Sequence, residues 1–171
     1  MRKARIEEID SWMGPAGIKR PLTEALGTED VAINYYELDP GESFAFGYHR
    51  HEGQEEVFYV LEGEATFETG EPRGGSESTS GGTASEDGEE TVSAGEAVRF
   101  APGEWQQGRN RGEGRVRALA LGAPQESGET TILRECPDCG ERTEQGIDRA
   151  GDADALVTRC VDCGAETGRF T

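Results

Sequence analysis

Three residues close together in the sequence could bind a metal ion: His49, His51 and Glu56. Side chains two apart on an extended segment point to the same side, so both imidazoles would face one point. Glu56 follows a short turn later, at the start of a strongly β-prone run at residues 57–61. Two imidazoles and one carboxylate are a donor set for a first-row transition metal, and with open positions they suit Fe(II) and oxygen. The pattern therefore predicts a divalent metal site.

Four cysteines form a second candidate metal site. Cys136 and Cys139 make one C-x-x-C pair, Cys160 and Cys163 make another, and twenty residues separate the two pairs. This spacing is typical of a closed, tetrahedral zinc site without an open position for catalysis. The alternatives are two disulfides or a redox-active pair. The cytoplasmic location that we expect, because the N-terminus lacks a secretory signal, argues against disulfides. Duplication of the motif argues against redox chemistry.

Short β-prone segments must position these groups. Segments rich in β-branched and aromatic residues alternate with Gly and Pro turns at intervals of roughly ten residues, with almost no helical periodicity. This pattern predicts an all-β sandwich or barrel. The predicted strands cover residues 31–38, 43–51, 56–61, 64–69, 91–93, 97–100 and 116–121, and a short helix is predicted around residues 6–12.

Composition divides the chain into four parts. We predict an N-terminal segment at residues 1–30, a barrel at 31–123, a linker at 124–131 and a cysteine ribbon at 132–171, with ribbon strands near 132–134 and 156–159. Residues 70–90 consist mostly of Gly, Ser, Thr and acidic residues. Such a segment buries too little apolar area to offset chain entropy, so we expect a disordered insertion at the tip of a hairpin.

The histidine motif resembles the first metal-binding motif of the cupin superfamily. The family pattern of His-x-His, four residues, Glu, six residues and Gly is matched by His49, His51, Glu56 and Gly63. This spacing selects Glu56 rather than Glu55 as the carboxylate ligand. The resemblance covers residues 31–123 and implies a jelly-roll β-barrel that holds a divalent metal, Fe, Mn, Ni or Zn, at its mouth.

The second cupin motif is matched less well. The positions of this motif are occupied by Gly95, Pro102, Gly103, Gln106 and Asn110, with the proline one place late. In the first motif, the opening glycine, Gly41, lies two residues further from His49 than the family pattern has it. The family's fourth ligand, a histidine, is Gln106 here, and an amide oxygen is a weaker, harder ligand than an imidazole nitrogen. Gln106 could complete the coordination, orient a water or bind a ligand. The alternative is a barrel without metal.

The cysteine tail resembles a rubredoxin-like zinc ribbon. Together the two resemblances imply an all-β, jelly-roll (cupin) barrel with a small C-terminal zinc ribbon. Two functions follow as hypotheses: a metal-dependent oxygenase or isomerase on a small organic acid or sugar, and a non-catalytic sensor of a small molecule whose ribbon binds a protein partner. The family also implies a homodimer.

The charge balance is extreme, with 35 acidic and 17 basic residues and a formal net charge of −18. No basic stripe exists to neutralise phosphates, which disfavours nucleic-acid binding. A basic protein partner and a generic solubility surface are two explanations. We favour a third, adaptation to molar salt, because the composition is similar to that of halophilic archaeal proteins. Salt at about 1 M shortens the screening length to about 3 Å and suppresses self-repulsion.

The N-terminal residues lack an apolar segment of the kind that a secretory signal needs, and the longest apolar runs are too short to span a membrane. We therefore expect a cytoplasmic protein. We expect the other side chains around the histidine motif to have structural roles: Tyr48, Phe58 and Trp105 in packing, Arg50 and Glu55 in solvent, and Arg109 and Arg111 in ion pairs. The alternative for the last two is to hold an anionic substrate.

Overall fold

The computed structural model describes residues 1–72, 88–151 and 154–171. A 3-10 helix lies at Ile6–Glu8 and a short helix, α1, at Leu22–Leu26. The strands are β1 (Ile18–Pro21), β2 (Ala32–Leu38), β3 (Tyr48–His51), β4 (Glu55–Glu62), β5 (Glu64–Thr69), β6 (Gly88–Ser93), β7 (Ala97–Phe100), β8 (Gln106–Arg109), β9 (Val116–Ala123), β10 (Thr130–Cys136), β11 (Glu141–Arg149), β12 (Leu156–Cys160) and β13 (Glu166–Phe170). Most of the insertion predicted at residues 70–90 lies outside the described residues.

The strands form two antiparallel sheets. The first has the order β1-β2-β9-β4-β7, and the second has the order β13-β12-β11-β10-β3-β8-β5-β6. Buried side chains from both sheets meet in one core, where the rings of Phe58 and Phe67 lie 5.0 Å apart. The predicted fold class, an all-β jelly-roll barrel with a small C-terminal ribbon, is confirmed.

Alternation along the strands decides which side chains face the core. On β9, Val116, Ala118 and Ala120 are buried, whereas Arg117 lies on the outer face and pairs with Glu62 at 2.9 Å. β9 lies between β2 and β4 in the sheet. Its inward side chains are small, which leaves space on the inner face for larger side chains from the two neighbouring strands.

The C-terminal ribbon is joined to the barrel through β10. Thr130 and Ile132 of this strand pair with His51 and His49 of β3, and from Leu133 onward the same strand also pairs with β11. Gly47 permits this close approach, because a Cβ atom at that position would lie 2.5 Å from the carbonyl oxygen of Leu133. The second sheet therefore runs from the barrel into the ribbon without a break.

The predicted strands at 64–69 and 97–100 agree with β5 and β7 to the residue. The strand predicted at 43–51 is shorter, since only Tyr48–His51 is extended, and the helix predicted at 6–12 is reduced to one 3-10 turn. Strands β1, β8, β11 and β13 and helix α1 had no predicted counterpart. In the part of the chain that the structure describes, no helix is long and apolar enough to cross a membrane.

Candidate metal centre

Strand β3 presents two imidazoles to the inside of the barrel. His49 is buried, with 5% of its surface exposed, and its Nδ1 lies 3.1 Å from the carbonyl oxygen of Gly47. The Nδ1 of His51 lies 2.8 Å from the hydroxyl of Thr130 on β10. Because a carbonyl oxygen can only accept, the Nδ1 of His49 carries its proton, which leaves Nε2 free to bind a metal.

The carboxylate comes from the opposite sheet. Oε2 of Glu56, on β4, lies 3.8 Å from Nε2 of His49 and 3.7 Å from Nε2 of His51. Glu55, the residue before Glu56 on β4, faces outward and pairs with Arg99 at 2.6 Å. The structure thus places Glu56, and not Glu55, beside both imidazoles, as the motif spacing predicts.

The environment of Glu56 favours its charged form. Burial acts to raise its pKa, but the hydrogen bonds and charges of His49 and His51 outweigh burial and lower the pKa to about 2. The carboxylate is therefore ionised at neutral pH. A metal ion requires a ligand in this form.

Gln106, on β8, completes this cluster of four side chains, which we call the metal centre (His49, His51, Glu56 and Gln106). Its Nε2 lies 2.8 Å from Oε2 of Glu56 and 3.0 Å from Nε2 of His49, directly across from it on β3. Its Oε1 is buried and has no hydrogen-bond partner among the described residues. A half-turn of the amide would exchange the two atoms and direct this oxygen at the other ligands.

These side chains fit a divalent metal ion. The candidate ligand atoms of His49, His51 and Glu56 all lie within 4.8 Å of one another. Metal–nitrogen and metal–oxygen bonds are about 2.0–2.2 Å long, so two ligands of one ion lie roughly 3–4 Å apart. The observed separations of 3.7 and 3.8 Å fall in this range. The buried Oε1 of Gln106 has lone pairs that no hydrogen bond from the described residues uses, so it could bind the ion as a further ligand.

Asn110, matched to the second cupin motif, has a different role. Its side-chain Nδ2 donates to the carbonyl oxygens of Leu38 and Gly114, at 2.9 and 2.7 Å, and its Oδ1 accepts from the backbone of Gly112. The residue ties a loop to β2. It is not part of the metal centre.

A cavity of about 490 Å³ opens beside the metal centre, and we call it the barrel cavity. His49, His51 and Glu56 line it, and so do two residues that the sequence analysis did not single out, Lys19 on β1 and Tyr36 on β2. Pockets that bind small molecules typically have volumes of about 300–1,000 Å³. The barrel cavity is thus large enough for a small ligand in contact with the metal centre.

The four cysteines come together at the end of the ribbon, and we call them the cysteine cluster (Cys136, Cys139, Cys160 and Cys163). Their sulfur atoms lie within 4.8 Å of one another, with 3.5 Å between Cys136 and Cys163 and 3.8 Å between Cys139 and Cys160. All four are free thiols. Tetrahedral Zn–S bonds of about 2.3 Å place sulfur atoms roughly 3.8 Å apart, so the cluster fits a tetrahedral ion.

Backbone geometry and one hydroxyl prepare the cysteine cluster. After each pair, a glycine with positive φ (Gly140 at 77° and Gly164 at 78°) turns the chain back, so that its N–H donates to the backbone carbonyl oxygen of the first cysteine of the pair. The hydroxyl of Thr143 lies 3.1 Å from the sulfur of Cys160 and is the main cause of the lowered pKa of that thiol, about 6, to which backbone hydrogen bonds from Cys163 and Asp162 also contribute. Hydrogen bonds with the neighbouring thiols raise the pKa of Cys139. A thiolate is the form that binds a metal.

The other singled-out side chains lie outside the metal centre. Tyr48 stacks on Trp105, and Arg50 lies over the same indole ring and pairs with Glu52. Arg111 pairs with Glu89, and Arg109 donates to Gln107 at 2.6 Å. Neither Arg109 nor Arg111 lines the barrel cavity.

A jelly-roll barrel with two histidines and a glutamate at its mouth defines a class of metal-binding barrels. The sequence profile of the cupin domain matches residues 34–122, just over half of the chain. The protein therefore belongs to the cupin family, whose members bind divalent metals and small-molecule ligands. A search of curated proteins found no match.

Solved structures with the same fold extend over most of the chain. A sugar phosphate isomerase of the cupin superfamily from Silicibacter pomeroyi DSS-3 has 18% identity and a TM-score of 0.58, and the match covers 99% of this chain and 91% of that one. A putative sugar phosphate isomerase from Acidithiobacillus ferrooxidans has 17% identity and a TM-score of 0.54, over 92% and 89% of the chains. A predicted oxalate decarboxylase from Thermotoga maritima has 22% identity and a TM-score of 0.54, over 71% and 98%. These similarities show the fold.

Proposed function

We propose that the barrel binds one divalent metal ion through His49, His51 and Glu56, with Gln106 as a fourth ligand, and that the cysteine cluster binds structural zinc. One observation carries the first part: donors from three strands of two sheets converge on one point beside a cavity. Two imidazoles, a carboxylate and an amide oxygen are an evenly mixed nitrogen and oxygen set. Such a set suits Fe(II), Mn(II), Ni(II) and Zn(II), and the donor types alone do not select one of them.

The activity that this arrangement supports best is a metal-dependent isomerase acting on a small hydroxylated carbonyl compound, such as a sugar derivative. A divalent ion at this place polarises a carbonyl or hydroxyl oxygen of a ligand. The barrel cavity supplies a partly enclosed site for that ligand. The structure named as a sugar phosphate isomerase and the one named as a putative sugar phosphate isomerase match 99% and 92% of this chain, which supports this choice.

A non-catalytic small-molecule sensor is the second candidate. It is favoured by the amide of Gln106, whose Nε2 can donate to both Glu56 and His49 and so satisfy these groups without a metal. The same four donors would also support oxygenase chemistry, a third candidate function, which requires a redox-active metal. A homodimer and a protein partner of the ribbon stay predictions.

Metal analysis of two neighbouring variants tests the metal centre. Glu56→Gln removes an inward ligand, whereas Glu55→Gln makes the same change at the adjacent outward residue. We expect two metal ions per chain in the wild type and in Glu55→Gln, and one in Glu56→Gln. Equal metal content in both variants would contradict the proposed site.

The reaction is tested on the metal-loaded protein by NMR in D₂O. Aldose and ketose phosphates are the first substrates, and isomerisation is expected in the wild type and in Glu55→Gln but not in Glu56→Gln. Oxygen uptake without isomerisation would support an oxygenase. If the barrel takes up neither Fe, Mn, Ni nor Zn, the sensor is the better explanation.

A further inference from the structure

Lys19 is an unusual residue in this chain. The sequence contains only two lysines and fifteen arginines, and acidic residues outnumber basic ones by two to one. Several arginines on the outer faces pair with carboxylates, as Arg99 does with Glu55 and Arg115 with Asp39. Lys19 is different, because its side chain lies partly buried against the barrel cavity.

The ammonium group of Lys19 is held by aromatic rings. Its Nζ lies 5.8 Å from the centre of the Trp12 ring and 5.7 Å from that of Tyr36. Within the described residues, no carboxylate oxygen lies within 4.0 Å of this nitrogen. Cation–π contacts offset only part of the lost hydration, so the site retains the capacity to bind an anion.

Strand pairing explains why Lys19 faces inward. Lys19 lies directly opposite Tyr36 in the β1–β2 ladder, so both side chains are on the inner face of the first sheet. The neighbouring Arg20 faces the other way, where it donates to the backbone carbonyl oxygens of Ile6 and Glu7. The β1 strand thus places two cations on opposite faces: Arg20 stabilises the fold through its backbone contacts, and Lys19 is available to a ligand in the barrel cavity.

Burial and the charge of Glu56 both act on the protonation of Lys19 and Tyr36. Burial lowers the pKa of Lys19, and the negative charge of Glu56 partly restores it. Burial, and then the charge of Glu56, raise the pKa of Tyr36, so its hydroxyl keeps its proton and can donate. An anion placed between these two groups would receive one charged and one neutral donor.

We propose that Lys19 and Tyr36 form an anion subsite in the barrel cavity, which holds a carboxylate or phosphate group of a small ligand whose other end lies at the metal centre. This proposal rests on the proposed function, because it names the substrate class of the same site. It follows that the natural ligand carries a negative charge although the protein carries a large negative charge itself. Lys19 then supplies the local positive charge that admits it.

The test is anion binding by isothermal titration calorimetry, with inorganic phosphate and malonate as separate probes at constant ionic strength. The protein is loaded with Mn(II), or used as isolated if the barrel takes up no metal. Lys19→Met removes the proposed ammonium, and Lys3→Met makes the same charge change at the exposed second lysine. We expect affinity to fall about tenfold or more in Lys19→Met and to be unchanged in Lys3→Met.

The two probes distinguish the sources of the anionic group, since the tighter one identifies phosphate or carboxylate as the preferred ligand. Equal affinities of wild type and Lys19→Met would overturn the subsite, and so would the absence of binding of either probe to the wild type at millimolar concentrations. If circular dichroism shows that Lys19→Met is misfolded, Tyr36→Phe decides, and unchanged binding in that variant also refutes the proposal. Metal content, measured on the same samples, reports separately on the metal centre.

Discussion

Replacing Thr130 with valine should weaken metal binding in the barrel although Thr130 does not touch the metal. The Thr130 hydroxyl lies 2.8 Å from Nδ1 of His51. When Nε2 of that imidazole binds a metal, Nδ1 carries the proton and donates to the hydroxyl, which fixes both the tautomer and the ring orientation. Valine has nearly the same shape but cannot accept this hydrogen bond.

The magnitude follows from the strength and exposure of that contact. A hydrogen bond between neutral groups contributes about 0.5–1.5 kcal/mol, and losing the partner of a ligating histidine typically costs about 10–100-fold in metal affinity. The side chain of His51 is 16% exposed, so water can replace part of the lost contact. We therefore expect a loss near the lower limit, about tenfold.

The assay is competition for Mn(II) or Zn(II) against a chromogenic chelator. Thr131→Val is the matched control, because Thr131 is the next residue on β10, lies opposite Arg50, and faces the other side of the sheet. Affinity should fall in Thr130→Val and not in Thr131→Val. Equal affinities in both variants would refute the argument that β10 orients His51.

Four further predictions concern both sites and the surface. Gln106→His should raise metal affinity in the barrel roughly tenfold, because an imidazole is a stronger ligand than an amide; competition titration measures it. Cys139→Ser should remove one zinc ion per chain and unfold the ribbon, since structural zinc contributes on the order of 10 kcal/mol of binding free energy; elemental analysis and circular dichroism report it. The thermal midpoint should be much higher in about 3 M than in about 0.1 M KCl, because salt screens the net charge of −18. The folded, metal-free protein favours the charged form of Glu56, whose pKa is lowered from 4.5 to about 2. This contribution to stability is complete above the ordinary pKa of the carboxyl group and is lost progressively as the pH falls to about 2. Urea titrations should therefore show that Glu56→Gln loses stability at about pH 6 and little at about pH 2.

Each of these predictions has a result that contradicts it. Unchanged affinity in Gln106→His would mean that the side chain at this position does not reach the metal. Retention of all zinc by Cys139→Ser would exclude the cysteine cluster as its site. Equal melting temperatures in both salt concentrations would rule out halophilic adaptation. A loss of stability in Glu56→Gln that does not vary with pH would show that the lowered pKa is not its cause.

The candidate ligands on β3 and β4 could be picked out of the sequence because their spacing is local. His49 and His51 are two apart on one strand, and Glu56 is the second residue of the next, so a pattern of eight residues contains three donors. Gln106 was found only through the family resemblance, since it lies on a different strand with no chemical signature of its own. Its register opposite His49 depends on pairing between segments far apart in the sequence.

Other features had little or no local signal. Strand β1 lies in a short segment with Gly17 before it and Pro21 at its end, which hides its β character, and its position follows from pairing with β2. Lys19 is one of only two lysines in the sequence, but its inward orientation could be assigned only after β1 was placed. The union of β10 with β3 was also unpredicted, because ladder pairing over about eighty residues is not encoded in either segment alone.

Strand β10, which pairs with both the barrel and the ribbon, limits where this protein can be truncated. If residues 130–171 were removed as a separate module, β3 would lose one of its two partners and become an edge strand, with unpaired N–H and C=O groups open to solvent on the side that β10 now covers. Such an edge is a template for pairing with another chain. A truncated barrel would therefore tend to self-associate through the strand that carries His49 and His51. In the intact chain the ribbon protects that strand.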